Sequence, residues 1–265
     1  MNTVNKKALC VITMLFSMMA IFSQSEVPEK KEATKEESEK AFSIIKESQN
    51  QLVYKGDYSC TVSLIVEKPG KPKENLQYKF FERMGKELFT MVQIFPEADK
   101  GNGYLRDGDN IWSYDPISRK FSHSSLKDAL ADSDMNVDDM SNEDDQYREN
   151  YKIRSLSEGV LGKYPVYIIE LEAITSKPAY KLSTVYIRTD VPLLLKRADY
   201  SATGRLMRTT LIPKYAKTEK GYVGYQIIMK DELNPGEQTQ QIISELTFDT
   251  LPDTIFTKAY LEGLN

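Results

Sequence analysis

Histidine is almost missing from this sequence: His123 is the only one in 265 residues. That excludes metal sites built on a histidine pair and leaves little for a histidine-based catalytic triad. No Gly-x-Ser-x-Gly occurs, and Gly101-Asn-Gly103 lacks the third glycine of a dinucleotide loop and follows no parallel-sheet pattern. Cysteine is nearly as scarce, with Cys10 and Cys60 only. Cys10 lies near the start of an apolar run and not after it, which excludes lipid attachment there. Export would leave Cys60 as the lone thiol, so no intrachain disulfide forms and stability rests on an ordinary core. In an alternating strand such a cysteine is a small buried apolar residue.

Long apolar runs are missing too, with one exception. Ala8 to Phe22 follows Lys6 and Lys7 and carries no charge. It is shorter than the about 20 residues that a bilayer span takes. It fits the core of a secretory signal peptide. Ser23 and Ser25 stand at positions −3 and −1 of a cut after Ser25, so residues 1–25 are expected to be removed; an uncleaved anchor is the alternative. The signal peptide holds no acid, and its loss leaves 33 basic against 39 acidic residues, about −6. That balance does not favour a nucleic-acid partner and keeps an exported chain soluble.

What is present starts with a charged stretch. Residues 26–39 are mostly Lys, Glu and small residues and read as a solvated tether. Thr34-Lys-Glu-Glu37 forms a capping-box pattern, and Ala41, Phe42, Ile45, Gln49, Leu52 and Val53 follow at helical spacing. One amphipathic helix over about 38–55 is expected, ending near Gly56. From Asp57 the period changes to two. Tyr58, Cys60, Val62, Leu64 and Val66 alternate with Ser59, Thr61, Ser63, Ile65 and Glu67. Further strand patterns lie near 76–80, 87–95, 104–106, 111–114 and 119–122. After a lapse through an acidic segment they resume at 151–156, 164–173, 180–189, 192–200, 204–213, 221–231 and 238–248. Short strands with turn signals between them predict an antiparallel sheet or barrel. No repeat and no second-domain boundary is visible, so residues 40–265 read as one domain.

The acidic segment contains DSDMNVDDMSNE (132–143), which puts Asp132, Asp134, Asn136 and Glu143 at positions 1, 3, 5 and 12 of a calcium loop. Val137 stands where such a loop needs a glycine, and a β-branched residue resists positive φ. Asp138–Asp139 and Asp144–Asp145 are paired acids, but adjacent acids in a polar segment usually face water. No cofactor, metal or catalytic residue is expected, and the chain is not read as an enzyme.

Three stretches together resemble one family. PEADKGNGYLRDGDNIWSYDPISRKF (96–121) is similar to the Leu-Arg-x-Gly-Asp-Asn-x-Trp-x-Tyr-Asp-Pro signature of the LolA-like proteins of outer-membrane lipoprotein sorting. SDMNVDDMS (133–141) resembles that family's Ser-Asp-Phe-x-x-Asp-Asp-Leu, with Met135 and Met140 in place of Phe and Leu. FDTLPDTIFTKAYL (248–261) resembles its closing Phe-x-x-x-Leu-Pro-Asp-x-x-Phe-Thr. Order and spacing agree from about residue 38 to 265.

The resemblance implies an α+β, mainly antiparallel fold: an incomplete, half-open β-barrel with helices covering its concave face. It also implies an acidic segment that is a landmark and not a calcium loop; Met135, Val137 and Met140 can tuck inward. The implied function is a periplasmic carrier holding acyl chains of lipoproteins or other lipids in an apolar concavity. The implied partners are an inner-membrane transporter, of RND/MMPL or ABC type, and an outer-membrane acceptor, with the carrier a monomer. An envelope sensor or adaptor on the same fold is the alternative. Strand parity supplies lining candidates: Val62, Leu64 and Val66; Tyr78 and Phe80; Val92 and Ile94; Trp112 and Tyr114; Val166 and Ile168. Trp112 stands out, since indole offers a broad apolar face and one N–H.

Overall fold

Period-two alternation does most of the building. A strand of alternating apolar and polar residues can bury one face. In the computed structural model every segment with that pattern is a strand. The structure describes residues 32–52, 56–83, 85–108, 110–124, 133–135 and 146–264. The strands are β1 (Asp57–Glu67), β2 (Glu74–Arg83), β3 (Leu88–Phe95), β4 (Gly103–Asp107), β5 (Asn110–Asp115) and β6 (Lys120–Ser124), then β7 (Tyr151–Leu161), β8 (Tyr164–Ala173), β9 (Leu182–Arg188), β10 (Leu194–Tyr200), β11 (Leu206–Thr218), β12 (Gly221–Asp231) and β13 (Gln238–Thr247).

All of them join one 13-stranded sheet in the order β6-β5-β4-β3-β2-β1-β13-β12-β11-β10-β9-β8-β7. Each described pair is antiparallel. The chain runs out from β1 to β6, and from β7 it returns to β13, which closes onto β1 with Val62 opposite Ile243. β6 and β7 remain as the two edges, so the sheet does not close on itself. This is the half-open barrel that the sequence led us to expect.

Helix α1 (Lys35–Leu52) starts at the capping box. The Thr34 N–H donates to Glu37 Oε2 at 2.7 Å and the Glu37 N–H donates to Thr34 Oγ1 at 3.2 Å, which satisfies two orphan donors. The last five residues of the expected tether are therefore helical. Ala41, Ile44, Ile45 and Ser48 form its buried stripe at i, i+3, i+4 and i+7. The stripe packs on Tyr151, Ile153, Ile169, Leu171, Val185 and Ile187 of β7, β8 and β9. Farther along, the helix reaches β12: a Cβ on Gly221 would stand 2.6 Å from the carbonyl oxygen of Gln51. Only glycine permits that approach, and its φ of +134° suits no other residue.

The sheet has two differently covered faces. On the concave face, Tyr58, Cys60, Val62, Leu64 and Val66 of β1 meet Leu76, Tyr78, Phe80, Phe89, Met91 and Ile111, with Met135 laid over them. The outer face of β2–β5 is also covered, by the C-terminal segment. Leu261 of α2 (Lys258–Glu262) packs on Val92, Leu105 and Tyr114. A Cβ on Gly103 would come within 2.7 Å of its side chain. Thr90 Oγ1 donates to the Ile255 carbonyl at 2.8 Å, and the Arg83 guanidinium donates to the Leu251 carbonyl and pairs with Asp57 and Asp253. The closing Leu-Pro-Asp-x-x-Phe stretch is thus a strap across the back of the sheet.

Candidate functional site

Between the second half of α1 and the sheet lies a hollow of about 290 Å³, partly open to solvent. That is at the lower end of the size of ligand pockets, about 300–1,000 Å³. α1 supplies Ile45, Ser48, Gln49 and Leu52 as its roof. Tyr58, Cys60 and Val62 of β1 and Phe80 of β2 form one wall. The floor comes from β9 to β13: Val185, Ile187, Leu194, Ile212, Val223, Ile227, Met229 and Ile243. Aliphatic side chains form the largest group, joined by Tyr147, Tyr151, Tyr180, Tyr215 and Tyr222. The helix stays over this hollow because its first half is anchored on β7–β9 and its end sits against Gly221.

One charged wall interrupts the apolar lining. Arg197 donates through Nε to Asp199 Oδ1 at 2.7 Å, and its terminal nitrogens reach Tyr147 Oη at 3.3 Å, Tyr151 Oη at 3.1 Å and Ser183 Oγ at 3.2 Å. Ser183 donates to the same Asp199 oxygen at 2.6 Å, and Arg208 Nε lies 3.5 Å from the other. Burial opposes the charge on Arg197, but Asp199 and the two tyrosines outweigh it and hold its pKa well above the usual value. Arg197 therefore stays charged and pairs with Asp199 through Oδ1, while Asp199 Oδ2 makes no hydrogen bond. Burial pushes the Cys60 thiol up to about 12, so the one cysteine in the wall is inert and acts as a small apolar residue. Burial also raises the Tyr215 phenol, which donates to the Leu194 carbonyl at 2.5 Å.

The lining candidates divide by face. Val62 and Phe80 border the hollow. Leu64, Val66 and Tyr78 share their face but are packed in the core beside it. The other six are on the outer face. Val92 and Tyr114 lie beneath Leu261, and Trp112 packs with them under the Lys258 ammonium, 4.2 Å from the ring centroid. Ile94 is 38 % exposed. Val166 and Ile168 alternate with Tyr167, Ile169 and Leu171, and it is the latter set that faces α1. The physical reason is shared. β3, β5 and β8 carry apolar residues at both parities, so alternation alone does not say which set points inward. In β1 the serines and threonines mark the outer face. The charged and floor residues of β9–β13 were missed because they belong to no motif. Their signal was the switch in β10 and β11 to charged residues, Arg197, Asp199 and Arg208, on the inward parity.

The remaining candidates separate cleanly. His123 is exposed on β6, its ring edge-on to Trp112 at 6.3 Å. Of the four calcium-loop positions only Asp134 falls among the described residues; Val137, Met140 and the pairs Asp138–Asp139 and Asp144–Asp145 lie outside them. Met135 is buried as expected. Asp134 holds Thr239: its N–H donates to Thr239 Oγ1, and that hydroxyl donates back to the carboxylate, both at 2.9 Å. Asp231 and Glu237 stand close by, within 4.8 Å. The Asp231 carboxylate is already taken up by its own turn, accepting from the N–H groups of Leu233 and Asn234 and from the Asn234 amide. A second cleft, of about 520 Å³, lies near the other edge of the sheet. Glu74, Asp99, Asp115 and several serines line it, which suits water better than hydrocarbon.

Comparison with known proteins agrees with this geometry. A LolA superfamily protein from Nitrosomonas europaea superposes with a TM-score of 0.71 at 22 % identity, over 83 % of this chain and 98 % of the other. A domain from Vibrio parahaemolyticus assigned to outer-membrane lipoprotein sorting gives 0.75 at 19 % identity, over 85 % and 99 %. A DUF1329 family protein from Desulfovibrio piger gives 0.73 at 20 % identity, over 87 % and 100 %. No curated protein matches the sequence. A family model described only as a "-like", uncharacterized protein matches residues 85–263, more than half of the chain. The chain therefore belongs to the family of that model, and it has the fold of the LolA superfamily, lipoprotein-sorting and DUF1329 structures.

Proposed function

We propose that the protein is a carrier that takes up acyl chains of a lipoprotein or lipid in the hollow beneath α1. The observation that carries this reading is an apolar space, roofed by one helix, in a sheet that does not close. Each CH₂ of an acyl chain costs about 0.8 kcal/mol in water. A protein that moves such a chain through an aqueous compartment must enclose it, and needs no catalytic group to do so. The names of the Nitrosomonas and Vibrio structures, which share the fold, support a link to outer-membrane lipoprotein sorting. Among the described residues no helix is long and apolar enough to cross a membrane. Together with Lys6, Lys7 and the apolar run after them, this supports export and a working place in the periplasm. There the carrier would load from an inner-membrane transporter and unload at an outer-membrane acceptor.

The test is direct. Protein purified without detergent is examined by native mass spectrometry and solvent extraction, then titrated with a fluorescent acyl probe. Near-integer acyl lipid, or saturable probe binding lost in Ile227→Trp with the fold intact, is the expected result. A protein that carries no lipid and binds no probe overturns the reading; a membrane protein retained by it would then favour the sensor or adaptor.

A further inference from the structure

The hollow is mostly apolar, yet two neutral polar groups in its wall make no hydrogen bond. Gln241 on β13 is 5 % exposed. On its face of the sheet Leu64 and Ile227 stand across from it, and Thr239 and Ile243 stand along its own strand. Only Thr239 of these is polar, and its hydroxyl is already engaged with Asp134 in both directions. Gln241 Oε1 is left buried without a donor. Thr210 on β11 lies between Arg197 and Met229. The Arg197 guanidinium is committed to Asp199, Tyr147, Tyr151 and Ser183. Thr210 Oγ1 is likewise buried without a partner. Folded proteins seldom leave such groups unmade, because each one loses water and gains nothing. A bare hydrocarbon chain filling the hollow would leave both as they are.

We propose that the ligand is an amphiphile whose acyl chain continues into a neutral head with a hydrogen-bond donor, a hydroxyl or an amide N–H, and that Gln241 and Thr210 select that head. This rests on the acyl-binding reading. Gln241 Oε1 accepts from the head, and the Thr210 hydroxyl, which can donate or accept, meets its carbonyl or hydroxyl oxygen. β12 separates the two strands, and their partners on it, Met229 and Ile227, are two residues apart, so the two Cα atoms are about 12 Å apart. The reach of the glutamine side chain and a hydrogen bond of about 3 Å at each end leave a gap that a glyceryl or acylamide head can span; an ionised fatty acid or a methyl ester brings no donor.

The experiment uses the full chain and four probes of equal chain length: monolauroylglycerol, N-lauroylglycinamide, laurate and methyl laurate. Each is titrated against a bound fluorescent acyl probe. The two donor-bearing probes are expected to bind about tenfold tighter than methyl laurate. Gln241→Leu should bring them down to the methyl ester's affinity and leave the ester unchanged. Thr210→Val should do the same to a smaller degree. Both variants replace an unpartnered polar group by an apolar one of similar size, so melting temperatures at or above that of the parent are expected. Equal binding of all four probes overturns the proposal, as does an equal loss for all four in Gln241→Leu, or laurate binding tightest with no effect of Gln241→Leu. If methyl laurate binds and the donor-bearing probes gain nothing, only this inference falls. If no probe binds at all, the acyl reading falls with it.

Discussion

The concave face of this sheet is filled at one end and hollow at the other. Over β1–β5 the protein fills it with its own Tyr78, Phe80, Phe89, Met91 and Met135. Over β9–β13 the same face meets a helix that stands off it and leaves a space. The difference lies in what is laid on top. In the filled half Met135 of the 133–135 segment lies directly on the aromatic side chains. The hollow half, although Tyr180, Tyr215 and Tyr222 stand in its lining, lies under a helix anchored at both ends. To take up an acyl chain, as proposed above, the protein needs only one half of its core to be incomplete.

Substitutions should feel this difference. Phe89→Ala in the filled half is expected to cost about 3–5 kcal/mol, whereas Leu194→Ala in the hollow half, already beside empty space, should fall near the lower end for such changes, about 2 kcal/mol. Urea unfolding of both variants measures it; equal costs would mean that the two halves are packed alike.

The second test uses charge. Glu82 is buried in the filled half and accepts from the Tyr58 hydroxyl. Burial, partly offset by Tyr58 and Arg106, pushes its pKa up to about 7. An ordinary glutamate loses its proton near 4.3. Between those values the folded protein holds a proton that the unfolded chain has released. Stability from this group is therefore complete below about pH 4 and is lost as pH rises through about 7, by an amount on the order of 3 kcal/mol. Urea midpoints taken from pH 4 to 8 should show that decline, and Glu82→Gln should flatten it.

A third comparison adds volume. Leu64→Phe overfills a packed site and should cost about 1–3 kcal/mol, whereas Ile227→Phe has room to enter and should cost less than about 1 kcal/mol. Ile227→Phe should nevertheless weaken acyl-probe binding, which Leu64→Phe should leave largely alone. The smallest effect belongs to the helix that roofs the hollow. Thr34→Ala removes one member of the capping box and should cost about 1 kcal/mol, seen as faster amide exchange in the first turn of α1 with little change in β1–β5.

The three family stretches turn out to hold the scaffold and not the hollow. Trp112 and Tyr114, in the most specific of them, are clamped beneath Leu261 and Lys258 from another. Asp115 ties down its own turn by accepting from Ile117 and Ser118. Asp134, in the third, fastens the 133–135 segment to β13. Motif strength was therefore a guide to architecture and a poor guide to lining. The residues that shape the hollow, from Val185 to Ile243, sit in strands that look ordinary one at a time.

The sequence by itself determined the thirteen strands, the capped amphipathic helix and the inward set of β1. Local rules decide those features: a period of two or 3.6, a capping pattern, and serines and threonines that mark a wet face. Only the tertiary structure decided which side of β3, β5 and β8 looks inward, since both sides are apolar and, over β3 and β5, a C-terminal strap covers the outer one. It alone decided that Arg197, Asp199, Thr210 and Gln241, far apart along the chain, share one wall. Pairing across strands brings them together, and register across a sheet is a property of the whole fold and of no single segment.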